Sequence, residues 1–358
     1  MMDVTRYDLL RLAAVDSHDA PVAVARELEA RLGRFATHPT ERRNAEIDLA
    51  PMEAGGMPGL APDHLQAQRG FTLTAVDGAP AAVLPYRGGA DIVLLPGDPV
   101  RIRYAPRHGV AGKLSALVQY CLQCALLRRE AAMFHGAALV RDGRCLVLTG
   151  LQGARKTLVM LTLLRQGWNF LADDRFLLQA GRAHMFHDAI PLMPHHFAAL
   201  PWLDGLGGPA GAFASRARHM RAVARWCDRH VPSYLGPRLA KFHNAPLMVR
   251  PDELFPGCKA VAEAPLSDIV LLVGGTAGSR TRTLPESLES LSIILDVEFQ
   301  SYLRLELEFK VRGVTLRPPT APVLGQGLEG VRIVELGVPE AVSAEETAQE
   351  VLRCIARA

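Results

Sequence analysis

The chain of 358 residues has no uninterrupted apolar run near the ~18 residues that a membrane-spanning helix requires, so no membrane span is expected. Its amino terminus, Met1-Met-Asp-Val-Thr-Arg-Tyr-Asp-Leu-Leu10, has early acids and lacks the layout of a signal peptide. The expected compartment is the cytoplasm. Charge of one sign is also scarce: 40 Lys and Arg stand against 37 Asp and Glu, a net +3, too small an excess to argue for a nucleic-acid partner. The six cysteines show neither disulfide nor metal spacing. Cys121 and Cys124 form a C-x-x-C inside the apolar run Leu114–Leu127, and with no second pair they read as core packing. No internal repeat or low-complexity tract is present. What remains is an ordinary globular composition, 49% hydrophobic and 22% charged, long enough for two domains.

The most informative segment is Leu146-Val-Leu-Thr-Gly150-Leu-Gln-Gly153-Ala-Arg155-Lys156-Thr157. The run Arg144–Thr149 reads as a buried strand. It leads into glycines and then a helix, the context a phosphate-binding loop needs. Gly150 and Gly153 can take positive φ and let N–H groups converge on an anion, while the first helical turn adds unsatisfied donors. Lys156 would reach the β- and γ-phosphates, and Thr157 would offer its hydroxyl to magnesium. Ala154 and Arg155 complete this nucleotide-binding set, but Arg155 stands where G-x-x-x-x-G-K-[ST] requires glycine. A non-glycine residue held left-handed costs roughly 1–2 kcal/mol, although its guanidinium could add a phosphate contact. The competing reading is a plain strand-turn-helix corner whose Lys-Thr starts the helix.

The sequel favours the loop. Lys156 to Gln166 has helical periodicity and ends at Gly167, and Trp168-Asn-Phe-Leu-Ala172 reads as a strand. Ten helical residues climb roughly 15 Å and five strand residues return roughly 16 Å. Asp173 and Asp174 are thereby expected beside the loop, where carboxylates can hold a metal ion or accept a hydroxyl proton.

His135-Gly136-Ala-Ala-Leu-Val140, the loop, and Arg165-Gln-Gly167-Trp-Asn-Phe-Leu-Ala-Asp173-Asp174 together resemble the catalytic core of HPr kinase/phosphorylase and its bacterial relatives. The resemblance is close over about residues 130–178 and looser over 110–358. It implies an α/β fold with an HPr-kinase/PEP-carboxykinase-like P-loop core, using ATP and Mg2+. It assigns phosphate to Lys156, metal to Thr157 and Asp174, the base to Asp173, and a place near the phosphate to His135. That histidine, following Ala131-Ala-Met-Phe134, reads equally as a packed core residue. The acceptor would be a serine hydroxyl of a protein or peptide, and a homo-oligomer is consistent with the family.

The remaining sequence suggests a small α/β amino-terminal module over 1–108 and the kinase-like domain over 109–358, with a helical insertion at about 191–246. Residues 1–35 read as helical, with an apolar stripe over Val22–Leu32, and 36–70 as loop. Strands are expected at Phe71–Val76, Ala90–Leu95 and Val100–Tyr104, and a helix at about 112–130. Further strands are expected at Arg175–Leu178, Ser267–Val273 and Val331–Glu335, and Ser343-Ala-Glu-Glu346 is a capping box. His184, His187, His195 and His196 match no zinc spacing and are assigned to a loop near the nucleotide. Arg216, Arg218, Arg221, Arg225 and Arg229 read as a solvated helix face or a grip for an acidic substrate, with Trp226 packed inward. Arg250 reads as an ion-pair residue. Two function classes stay open: an ATP-dependent kinase, and a nucleotide-binding, non-catalytic relative acting as a regulatory or scaffold protein.

Overall fold

The computed structural model describes residues 4–37, 45–52, 71–86, 89–106, 109–205, 211 and 246–356. It is a mixed α/β chain that divides into two compact units, 1–133 with 295–324 and 134–294 with 325–358. The segment 109–133 and the segment 295–324 thus group with the amino-terminal module.

In the first unit, β1 (Val4–Leu9), β2 (Ala13–His18), β3 (Ala36–Thr37), β4 (Ile47–Pro51), β5 (Thr72–Val76), β6 (Ala79–Tyr86), β7 (Gly89–Leu95) and β8 (Val100–Tyr104) form a sheet of order β3-β1-β2-β4-β8-β7-β6-β5. The helical expectation for residues 1–35 holds only for α1 (Val22–Leu32); β1 and β2 are an antiparallel hairpin. The turn explains the miss: Leu10 and Arg11 adopt φ of 55° and 62°, a conformation usually announced by Asn or Gly. β6 was hidden by Pro80 and Pro85, residues that ordinarily argue against a strand paired on both sides.

The helix α2 (Val110–Leu127) lies in this unit beside α1. By length and composition it could cross a membrane, yet 78% of it is buried within the fold. Cys121 and Cys124 are among its buried residues, as packing requires. The main-chain N–H of Met133 donates to Gln123 Oε1 at 2.7 Å, satisfying one of its buried polar groups. Tyr120 stacks on Tyr302, ring centres 4.5 Å apart, and Arg317 pairs with both Asp296 and Glu306.

The second unit carries the candidate site. Its strands are the end of β9 (Ala131–His135), which begins in the first unit, and β10 (Ala137–Arg141), β11 (Arg144–Thr149), β12 (Asn169–Ala172), β13 (Arg175–Gln179), β14 (Arg182–Met185), β15 (Ile190–Leu192), β16 (Leu247–Val249), β17 (Glu263–Gly274), β18 (Gly278–Arg282) and β19 (Arg332–Val338). The main sheet runs β12-β10-β11-β17-β14-β13-β9, with β19 on β17 and β18 on β19. β11, β17 and β19 are mutually parallel neighbours, while β10 is antiparallel to both β11 and β12. The carboxyl ends of three adjacent strands therefore share one edge, where ligands of open α/β sheets bind.

Short helices α4 (Pro194–Ala199) and α5 (Pro251–Leu254) follow, then α6 (Leu284–Glu298), α8 (Thr320–Gly327) and α9 (Ala344–Ala356), while α7 (Leu303–Val311) belongs to the stretch 295–324 of the first unit. The helix α3 (Lys156–Arg165), which begins at the loop, packs beside α9. It buries Val159 through Leu164 on all sides, which is why its apolar residues exceed a single stripe. Leu148, Leu161, Val270, Leu272, Val334 and Val351 share its core; each such side chain contributes roughly 1.5–3 kcal/mol. The predicted capping box is present: the Glu346 N–H donates to Ser343 Oγ at 3.1 Å, and the Ser343 N–H donates to Glu346 Oε2 at 2.8 Å. The arginine tract 216–229 and Trp226 lie outside the described residues, as does most of the expected insertion.

Candidate functional site

The loop leaves β11 at Gly150, whose φ is 148° and where a Cβ would come within 2.5 Å of the Leu272 carbonyl oxygen. No side chain fits there. Gly153 follows with φ 86°. Arg155 then takes φ 64° and ψ 18°, the left-handed conformation a glycine would supply. The loop has not relaxed to avoid the arginine. Its strain of roughly 1–2 kcal/mol is offset by hydrogen bonds, because the guanidinium donates to the carbonyls of Glu340 and Val342 in the β19–α9 connection. Those carbonyl contacts fix the guanidinium for which a phosphate contact is the sequence expectation.

Lys156 opens the helix, and its Nζ donates to the carbonyls of Gly150 at 2.9 Å and Leu151 at 3.3 Å. The ammonium is thus held across the loop that generated its position. One residue on, Thr157 Oγ1 donates to Asp173, 3.0 Å from Oδ1 and 3.2 Å from Oδ2. The return path through β12 brings the acids to the loop, as the length arithmetic required.

The two acids occupy different surroundings. Asp173 is 4% exposed, and its Oδ1 also accepts the Asp174 N–H at 3.0 Å. Burial, then the neighbouring Asp174 charge, push its carboxyl up to about 6, opposed by the Thr157 hydrogen bond. Asp174 takes φ 70° and has a half-exposed side chain. Its Oδ1 lies 3.6 Å from His135 Nδ1, and its Oδ2 lies 3.9 Å from Arg175 Nε. Arg175 was not anticipated as part of this group, since its sequence context is that of an ordinary strand start.

The His-Gly pair has a mechanical reason to be there. Gly136 donates its N–H to the Asp174 carbonyl at 3.1 Å, and a Cβ at this position would meet the Leu148 carbonyl oxygen at 2.8 Å. Thr149 Oγ1 donates to the His135 carbonyl at 2.8 Å. Through these bonds the end of β11, the β9–β10 corner and the Asp173–Asp174 turn are fastened together.

Among the described residues no group of three or more His, Cys, Asp or Glu could enclose a metal ion. Thr157 and the adjacent carboxylates do fit an ion that takes one or two protein oxygens and completes its shell with phosphate and water, as magnesium does. Of the four histidines expected in a loop, His187 lies in the β14–β15 connection, whereas His184 lies in β14, 3.1 Å from Glu263, and His195 and His196 lie in α4. His196 is buried, its Nδ1 accepts the Met193 N–H, and burial pushes it down to about 4. Arg250 pairs with Asp252 at 3.2 Å.

The raised Asp173 has a consequence for stability. Titrating near 6 when folded and near 3.9 when unfolded, this group stabilises the fold fully below about pH 4. That contribution is lost as pH rises through 6. Asp173→Asn removes the buried charge, so at pH 8 it is expected to raise stability by on the order of 2 kcal/mol, with no gain at pH 4. Thermal melts of both proteins at the two pH values test this; an equal effect at both pH values sinks it.

Neither the protein-family models nor the curated proteins match this chain. Among solved structures, the HPr(Ser) kinase/phosphatase from Coxiella burnetii is similar, covering 63% of this chain and 95% of its own, at 12% identity and a TM-score of 0.30. A likeness of that size carries no function across, and the site stands on its own geometry.

Proposed function

We propose that the chain is a kinase that transfers the γ-phosphate of ATP to a hydroxyl group, most simply a serine of a protein or peptide. The observation that carries this reading is the Thr157 hydroxyl seated 3.0 Å from Asp173, one residue beyond a lysine folded over its own loop. Phosphoryl transfer asks chiefly for alignment and neutralised charge. Lys156 supplies the charge at the loop and the helix amides supply the cradle.

The geometry favours exchanging the roles that the resemblance gave the two acids. Asp173 is buried and already accepts from Thr157 and from the Asp174 N–H, so it suits the metal side with Thr157. A magnesium ion held there would neutralise phosphate charge. Asp174 is half-exposed and can meet an incoming hydroxyl, with His135 behind it. In the step itself, the acceptor oxygen forms a bond to the γ-phosphorus while the bond to the β–γ bridging oxygen breaks. ADP leaves with that electron pair, and the hydroxyl proton passes to Asp174.

The non-catalytic alternative rested on Arg155. Its left-handed backbone weakens that alternative, because the loop path is the one glycine would give. Incubation with γ-labelled ATP, magnesium and a serine-peptide library is expected to label peptide. Tight ATP binding with no label on any hydroxyl acceptor would favour the non-catalytic reading.

A further inference from the structure

Beside the loop, at the carboxyl ends of β17 and β19, lies a cavity of about 310 Å³ walled by Gly153, Arg155, Leu272, Val273, Gly275 and Glu340. We propose that it is the subsite for the nucleoside end of the bound triphosphate, with the base against the Arg155 guanidinium and the ribose at Glu340. This rests on reading Gly150–Thr157 as a phosphate-binding loop.

Strand order supplies the first argument. In the sequence β12-β10-β11-β17, with β19 on the far side of β17, the loop rises from β11. The acids end β12 and His135 precedes β10, so they stand to one side of the loop; the cavity stands to the other. A linear ligand with its phosphates over the loop has its reacting end toward Asp174 and its other end toward the cavity.

The walls supply the second. Arg155 is held by main-chain carbonyls of Glu340 and Val342 through hydrogen bonds at the edge of its guanidinium. Such bonds lie in the plane of the group and leave its flat faces for stacking on a heteroaromatic ring. Leu272 and Val273 add apolar surface, and Val273 is 40% exposed, a value that falls when a base covers it. At Gly275 a Cβ would meet nothing within 4 Å, which leaves room for a ring to approach the backbone. A carboxylate just beyond a strand's carboxyl end is a suitable acceptor for ribose hydroxyls. The volume is at the small end of ligand cavities, matching one end of a nucleotide rather than all of it.

The substitution in Arg155 thereby acquires a positive role. It supplies a fixed planar cation at a place where glycine supplies nothing.

Calorimetric titration with ATP and with inorganic tripolyphosphate separates this subsite from the loop. The wild-type protein is expected to bind ATP about tenfold or more tightly than tripolyphosphate. Gly274 also lines the cavity, has no left-handed φ, and a Cβ there meets nothing within 4 Å, so Gly274→Leu fills the space without straining the backbone. It is expected to weaken ATP about tenfold and to leave tripolyphosphate binding unchanged, which also reports that the variant is folded. Glu340→Gln provides an independent check: it is expected to weaken ATP several-fold and to leave 2′,3′-dideoxy-ATP unchanged. Equal affinity for ATP and tripolyphosphate in the wild type, or ATP affinity untouched by Gly274→Leu, overturns the subsite and leaves the loop reading intact. If neither compound binds the wild-type protein, the loop reading falls and the subsite falls with it.

Discussion

Lys156→Ala is expected to lower phosphoryl transfer by about 10³-fold while leaving the fold nearly as stable as before. The large effect follows from the lack of a substitute. Arg155, the adjacent cation, is held on the carbonyls of Glu340 and Val342, and its position is set by the same bonds. Without Lys156 the charge that develops on the transferring group loses its ammonium counter-charge at the loop. The small structural effect follows from what the ammonium touches, the carbonyls of Gly150 and Leu151, hydrogen bonds whose loss costs about 1 kcal/mol. Initial rates of label transfer paired with thermal melts make the comparison. A variant retaining a tenth of wild-type turnover would remove Lys156 from the mechanism.

Asp174→Asn is expected to lower transfer by about 10²–10⁴-fold without weakening ATP binding. The amide keeps the shape of the carboxylate but cannot take the acceptor's proton. Asp173→Asn is expected to behave differently. Its loss falls on the metal side, so raising the magnesium concentration recovers part of its activity, and this variant is the one stabilised at pH 8. Metal rescue of Asp174→Asn rather than of Asp173→Asn would restore the assignment that sequence alone suggested.

The site was more legible than the fold around it. Gly150, Gly153, Lys156 and Thr157 follow a spacing whose physical demands are strict, and the short helix and strand after them fixed where Asp173 and Asp174 had to arrive. Sequence could not tell the two acids apart, because their difference is one of burial. Nor could it reveal that Arg155 would hold a left-handed backbone, since the compensating carbonyls lie some 185 residues further along the chain. The β1–β2 hairpin escaped notice because Leu10 and Arg11 turn it without glycine or asparagine, and β6 because two prolines sit inside it. The strand expected at Val100–Tyr104 was found in full; its apolar-polar alternation left no competing reading.

The first compact unit is made of two stretches far apart in the chain, 1–133 and 295–324. Tyr120, 1% exposed, packs on Phe299 and Tyr302, and Arg128 donates to the Leu316 carbonyl at 2.7 Å. During synthesis, the amino-terminal unit emerges first but lacks these partners until about residue 324 has left the ribosome. The whole loop-bearing segment 134–294 is translated in that interval. One face of α2 must wait, its aromatic ring uncovered, while the strands and loop of the candidate site have emerged up to β18; a cell making this protein slowly would hold that apolar surface open to chaperones for correspondingly longer.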